Sequence, residues 1–533
     1  MSLADIERRL DGRFRLLTGG SETVLPRQRT LRALVDWSYD LLSDAERAVL
    51  CRLSVFAGGW DLAAAETVAG DENLDRWAVM DLLASLVDKS LVQGDTTADA
   101  ARYWLLETVR EYAAERGHER GERELATARL AHARLFLDLA ETAAPHFSGA
   151  GQVVWRSRLE LDYGNLRAAF SYWLSDPSGA DEALRFGTAL GWFWSSRGSY
   201  GEGVELIETA LGRHDATAPT ALRCATLNIG GHLLCRRGDL TRAQIALEEA
   251  VGIARSLADP ALTADALRNL AWVADRRGEH DKAIELATES VELASRCEES
   301  HLLARAYDVR AAARQDQDPA GAQSDYAISL RYCEAAEDHH GQASTLNNLA
   351  VLELEQGHHD EARHYFARGL EVARETNSVG ILPYLEYGVG LAAALEGELA
   401  EARPAFATAL QIARQTGQRS LVAYAILGLA VTSDRRGQEQ QSAMLHGAAM
   451  AIFDQLREAP EPLEAGLRQR SLAALRVTIG DGVERYAALG RSLPLSEAIA
   501  LSLRPDSEGL DSHDSLVDRQ GGRDTVPNVG RAR

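Results

Sequence analysis

Glycine recurs at forty-residue intervals through the second half of this chain, and no other feature narrows its possible folds so far. Gly198, Gly238, Gly278, Gly357, Gly397 and Gly437 stand 40, 40, 79, 40 and 40 residues apart, the long gap hiding one member at Gln317. Five residues after each marker come Gly203, Ala243, Ala283, Ala322, Ala362, Ala402 and Ser442. Twelve after come Ala210, Ala250, Ser290, Ser329, Gly369, Ala409 and Ala449. Seven before, six of the seven are Gly or Ala (Gly191, Gly231, Ala271, Ala350, Gly390, Ala430), and the Gln317 unit breaks the rule with Arg310. Such a unit is a pair of helices around a turn. Glycine ends the first helix because a left-handed C-cap meets no Cβ clash there. Small residues at the other three positions let paired helices, and the next pair, approach closely. Apolar residues at helical spacing fill the seam, as from Ala283 through Ile284, Leu286 and Ala287 to Val291 and Leu293. Seven copies in register predict stacked helix pairs over residues 181–454.

This spacing resembles the tetratricopeptide repeat (TPR) in its longer-helix, forty-residue form. The resemblance implies a curved, right-handed α-solenoid, since such units bury their faces only by stacking. It also implies that the first helix of each unit faces a concave groove, with the residues ten and six before the turn pointing inward. The first column reads Thr188, Asn228, Arg268, Tyr307, Asn347, Tyr387 and Leu427. The second reads Trp192, His232, Trp272, Ala311, Val351, Leu391 and Val431. Asn228, Arg268 and Asn347 are hydrogen-bonding groups in otherwise apolar helices, which suits recognition of a ligand or peptide. The candidate binding residues are Trp192, Asn228, His232, Arg268, Trp272, Tyr307, Asn347 and Tyr387. The competing reading puts both tryptophans in inter-repeat core and the asparagines in solvent. Residues 455–504 depart from the spacing and read as capping helices, and 505–533, poor in large aliphatics, as a disordered tail.

The first third follows other rules. Leu31–Leu42 is apolar at helical spacing, and Ser43-Asp44-Ala45-Glu46 is a capping box opening a second helix to about Leu53. Asp61 suits the cap of a third helix over Leu62–Val68, and a fourth is expected over Leu74–Asp88. Two β-rich runs, Leu91–Gln93 and Arg102–Leu106, follow across a polar loop. Helices followed by a hairpin make a winged helix, here over residues 31–112. Its charge argues against reading DNA: residues 31–110 hold seven Lys/Arg and fourteen Asp/Glu, a net of 7 − 14 = −7. The would-be recognition helix shows Met80, Leu82, Leu83, Leu86 and Val87, where a major-groove reader needs cations and polar forks.

These residues carry a further resemblance. Arg8-Arg9-Leu10-Asp11-Gly12-Arg13-Phe14-Arg15-Leu16-Leu17-Thr18-Gly19-Gly20 opens it, and the stretches 31–42, 53–60, 85–92 and 105–113 continue it. Together they look like the region after the nucleotide-binding core in AfsR/LuxR/MalT-type bacterial regulators, of the STAND class of signal-transduction ATPases. Asn165-Leu166-Arg167-Ala168-Ala169 fits the family's helical linker, so the resemblance covers about residues 3–503. It implies this order: residues 1–30, a remnant of the helical subdomain trailing an ATPase core; 31–112, winged helix; 113–180, linker; then the TPR sensor. The nucleotide core and a LuxR-type DNA-binding effector have no counterpart in these residues, so ATP or ADP is expected only on a missing or separate domain.

Composition supports that division. Of 57 Lys+Arg only Lys89 and Lys282 are lysines, and neither follows a glycine, so no P-loop is present. No G-x-S-x-G elbow occurs, and Gly19-Gly20 and Gly58-Gly59 read as turns rather than a dinucleotide fingerprint. His358, His359 and His364 lack a completing metal-ligand set and read as a solvated face. A net charge of 57 − 79 = −22 opposes general binding to nucleic acid or anionic lipid. Five scattered cysteines and an N-terminus charged from Asp5 onward point to a reduced cytoplasm, and no apolar run approaches membrane-spanning length. The expected fold is all-α, a TPR-like α-solenoid of about seven helix pairs behind a small winged helix. The expected role is the non-enzymatic sensor module of a STAND-type transcriptional regulator, binding an inducer or partner protein and coupling it to an ATPase core. The alternative is a stand-alone TPR scaffold or adaptor.

Overall fold

The five marker glycines among the described residues turn the chain through the left-handed region. In the computed structural model of this chain, Gly198, Gly238, Gly278, Gly357 and Gly397 have φ of 78°, 89°, 76°, 80° and 86°. The structure describes residues 26–95, 101–148, 151–213, 217–297, 299–376, 378–434, 438–456 and 458–504. The seventh marker Gly437, residues 1–25 of the segment 1–30 expected to trail an ATPase core, and the tail expected from 505 lie outside the described residues, while residues 26–30 open the first helix.

The winged helix is built from α1 (Pro26–Asp40), α2 (Asp44–Leu53), α3 (Leu62–Ala69), α4 (Arg76–Asp88), β1 (Gln93–Asp95) and β2 (Arg102–Trp104). The capping box forms: Ser43 N–H donates to Glu46 Oε2 at 2.7 Å, and Glu46 N–H donates to Ser43 Oγ at 3.3 Å. Asp61 caps α3 through Ala64 N–H. α4 starts two residues later than its apolar pattern predicts, because Asp75 takes the cap position while Asp71 and Leu74 close a bridged turn. β1 is likewise displaced. Leu91 and Val92 are buried with their N–H groups donated to Leu86 O, so pairing begins at Gln93, opposite Trp104. Tyr103 also exchanges both backbone bonds with Trp60, at 2.8 Å each, which gives the hairpin a third edge. Beneath it Phe56 stacks on Trp60, with Phe136 and His132 at its edge.

Helices α5 (Glu107–Arg120), α6 (Glu122–Ala143), α7 (Gln152–Leu161) and α8 (Tyr163–Ser175) lead to the repeats. The pairs then run α9 (Ala180–Arg197) with α10 (Tyr200–Leu211), α11 (Ala221–Arg237) with α12 (Leu240–Ser256), and α13 (Pro260–Arg276) with α14 (His280–Cys297). They continue with α15 (Ser300–Arg314) and α16 (Pro319–Ala335), α17 (His339–Glu355) and α18 (His359–Glu375), α19 (Leu382–Glu396) and α20 (Leu399–Gln415), and α21 (Arg419–Asp434) and α22 (Glu439–Leu456). The small positions are steric requirements: a Cβ on Gly191 would stand 2.0 Å from Ile229 Cγ1, and one on Gly231 2.5 Å from Leu247 Cγ. The Gln317 unit turns without a left-handed residue, Asp318 capping α16 instead. Its Arg310 is held by a two-pronged pair to buried Asp325, at 2.8 and 2.7 Å.

Three helices close the described chain, α23 (Pro462–Ile479), α24 (Gly482–Arg491) and α25 (Leu495–Ser502). α22 and α24 touch backbone to backbone, since a Cβ on Gly447 or Gly490 would lie 1.9 Å from Ala487 O or 1.8 Å from Met444 O. The fold is all-α apart from the short hairpin. The chain forms two units, residues 1–345 and 346–533, which divide within α17. Among the described residues no helix is long and apolar enough to cross a membrane.

Candidate ligand-recognition groove

In the first unit, helices α9, α11, α13 and α15 bring together side chains that lie about forty residues apart in sequence. Positions three or four apart share a helix face, so Asn228, His232 and Arg236 form one stripe on α11. Asp265, Arg268, Asn269 and Trp272 form the matching stripe on α13. His232 is buried with its ring between two indoles, 4.7 Å from Trp192 and 5.4 Å from Trp272, centroid to centroid. Its Nε2 lies 3.0 Å from Ser195 Oγ, while Nδ1 has no hydrogen-bond partner. Asn228 Nδ2 donates to Asp265, and Asn228 Oδ1 accepts from Asn269 Nδ2 at 2.8 Å. Arg268 Nε and NH2 donate to Asp265 Oδ1 at 3.1 and 2.8 Å. Arg305 on α15 reaches across to α9, its guanidinium carbon 4.1 Å from the Trp192 ring centroid.

The electrostatics of this cluster are set by burial and by arginine. Burial, reinforced by Arg236, Arg268, Arg305 and His340, holds His232 far below the usual imidazole range, so it is neutral at pH 7. Burial opposes the charge of Asp265, but Arg268, Arg305 and His301 outweigh it and keep that carboxyl below its ordinary range. Arg305 is pushed down by burial, with Asp338 and Asp265 opposing that and Arg268 adding to it. His340 is lowered by burial despite Asp338, with Arg236, Arg305 and Arg156 on the same side as burial.

Of the eight residues singled out in the sequence, Trp192, Asn228, His232, Arg268 and Trp272 meet in this cluster. Tyr307, also in the first unit, stacks on Tyr332 of the paired helix at 6.3 Å with Arg310 over its face, in the seam between helices. Asn347 and Tyr387 belong to the second unit. Tyr387 is buried there, donating from its hydroxyl to Glu464 Oε1 of α23 at 3.0 Å, so a capping helix covers this member of the column. Asn228 is buried and bonded rather than solvated, and Trp192 and Trp272 are half-buried. Arg236, Asp265 and Arg305 were not in either column. Arg236 and Asp265 each continue a column by one helical turn, four residues after His232 and three before Arg268, a signal the sequence does contain; Arg305 is two residues from Tyr307 and six from Ala311 and lies off both columns.

The residues present do not fit a nucleotide by the phosphate-loop route. Lys89 Nζ donates to Glu46, which also accepts from Ser85 Oγ at 2.6 Å, and Lys282 pairs with Glu279 at 3.4 Å. Burial works against the Glu46 carboxylate, but the bonds from Lys89, Ser85 and Ser43 bring it down to about 2.

Comparison with known proteins agrees with this architecture. The winged helix-turn-helix domain family matches residues 42–118, and the tetratricopeptide repeat family matches residues 221–296 and 302–375. A Mycobacterium tuberculosis (strain ATCC 25618 / H37Rv) protein bearing the name HTH-type transcriptional regulator Rv0890c is 36% identical over 275 residues. That match covers 50% of this chain and 30% of the relative. The protein Rv0894 of the same strain is 42% identical over 130 residues, covering 24% of this chain and 33% of its own. This chain therefore spans about a third of the curated relatives it matches. Among solved structures, the STAND protein with a tetratricopeptide repeat sensor, PH0952 from Pyrococcus horikoshii, superposes with a TM-score of 0.51 at 14% identity. It covers 94% of this chain and 67% of its own, a likeness of fold. The chain thus joins a winged helix-turn-helix domain to a tetratricopeptide repeat array, and its relatives include a protein named as a transcriptional regulator.

Proposed function

We propose that this chain is the sensor and regulatory part of a STAND-type transcriptional regulator of the AfsR/LuxR/MalT kind, acting in the cytoplasm without catalysis of its own. In this reading the repeats bind an inducer or partner protein, and the winged helix docks on an ATPase core that carries the nucleotide. The observation that carries it is how firmly the winged helix is tied to the helices before the repeats. Buried Asn165 accepts from Ala57 N–H at 2.8 Å and donates to Gly59 O at 2.9 Å. Arg102 pairs with Asp162 at 2.8 Å, and Arg158 with Asp61 at 2.7 Å. A change at the linker therefore reaches the winged helix through several bonds at once, as coupling between two sites requires. The acidic balance of the winged helix favours protein docking over phosphate contact.

The test pairs this chain with an ATPase core of the STAND class from the same genome, in pull-down and ATP-turnover assays. Association through the winged helix that changes turnover supports the reading. Failure to associate with any such core overturns it, as does binding of duplex DNA by the chain alone with a Kd tighter than about 1 µM at physiological salt, beyond the usual non-specific range.

A further inference from the structure

The cluster in the first unit carries positive charge inside a strongly negative chain. Arg156, Arg236, Arg268 and Arg305 act on its imidazoles and carboxylates, against Asp265 and Asp338. Among the groups that act on His232 and His340 the arginines outnumber the carboxylates, while the whole chain stands at −22. The cluster also contains a polar atom with nothing to bond. His232 is only 7% exposed, its ring is fixed by two indoles and by Ser195, and its Nδ1 has no partner. A buried nitrogen left unpaired costs free energy that a bound group recovers. Of the groups that weigh most on this ring, Arg236, Arg268 and Arg305 are cations.

We propose that the inner face of the first unit binds an anionic effector, its carboxylate or phosphate held among Arg236, Arg268 and Arg305 and hydrogen-bonded to His232 Nδ1. This deepens the sensor reading above and rests on it. Guanidinium forks match both oxyanions bidentately, and the Trp192–His232–Trp272 ladder fixes the direction of the Nδ1 bond. Arg305, which lies over Trp192, ties occupancy of the site to an indole that reports it.

The experiment titrates the full chain with inorganic phosphate and with citrate, each against sodium chloride of equal ionic strength, following tryptophan fluorescence and calorimetric heat. Saturable binding of either probe above the chloride control is expected. The tighter of the two then tells a phosphate-bearing effector from a carboxylate-bearing one. Arg305→Gln and His232→Phe should each weaken binding at least tenfold, whereas Arg305→Lys, which keeps the charge and loses the fork, should weaken it less. Circular dichroism and thermal melts confirm that the variants are folded. The proposal is overturned if neither probe saturates, or if Arg305→Gln binds like the parent chain. This assay needs no ATPase core, so failure of anion binding is distinct from failure of the core to associate.

Discussion

Glu464 is buried against a phenol rather than a base, and its titration follows from that. Burial and neighbouring Glu461 push its carboxyl up to about 7, against the pull of a backbone bond and of the Tyr387 hydroxyl. Tyr424 and Glu458 face the same corner without offering a cation, Tyr424 Oη donating to Ala459 O and Ser420 Oγ to Glu458. In an unfolded chain the carboxyl titrates near 4.5, so below that pH both states hold the proton and nothing is lost. As pH rises from there to about 7 the unfolded chain ionises first, and stability falls by about 3 kcal/mol at most. Glu464→Gln keeps the acceptor for Tyr387 and removes the ionisation. Denaturant unfolding at pH 5 and pH 8 should show a gain of about 1–3 kcal/mol at pH 8 and little change at pH 5. An unaltered pH profile in the variant would contradict the assignment.

At the scale of helices, the small residues differ in what they face. A Cβ on Gly191 meets the side chain of Ile229, which has rotamers to move into, and alanine there should cost about 1–3 kcal/mol, less whatever helix propensity returns. A Cβ on Gly490 meets Met444 O, a backbone atom of another helix, so α22 and α24 must separate. Gly490→Ala should therefore be the more damaging, at about 3 kcal/mol or above, and urea unfolding of the two variants tests the order. The same contrast explains what could be read from sequence. Forty-residue markers and small-residue positions are set by backbone sterics within one repeat, so the helix pairs were legible without a structure. Five of the eight inward residues meet for the same reason. Tyr307 and Tyr387 occupy the same column, yet Tyr332 claims one and Glu464 the other. Glu464 belongs to a helix outside the repeat register. The contact of Arg305 with Trp192 depends on how tightly successive pairs wind, which no local periodicity encodes.

On the scale of the whole molecule, that winding has a measurable consequence. α9 and α15 belong to the first and fourth of four consecutive pairs, and a cation–π contact joins them. Such a contact is worth about 0.5–2 kcal/mol, enough to bias a soft superhelix without freezing it. Spin labels placed at the exposed positions Asp181 and Arg331 should report a broader and longer distance distribution in Arg305→Ala than in the parent chain. Identical distributions would show that the contact does not hold the coil. The first unit then resembles a wound spring with a latch across its open side. If the broader distribution is found, whatever draws Arg305 away from the indole frees α9 and α15 to move apart. Under the sensor reading proposed above, a relaxation of that kind is what a linker gripped at Asn165 would hand to the winged helix as a mechanical signal.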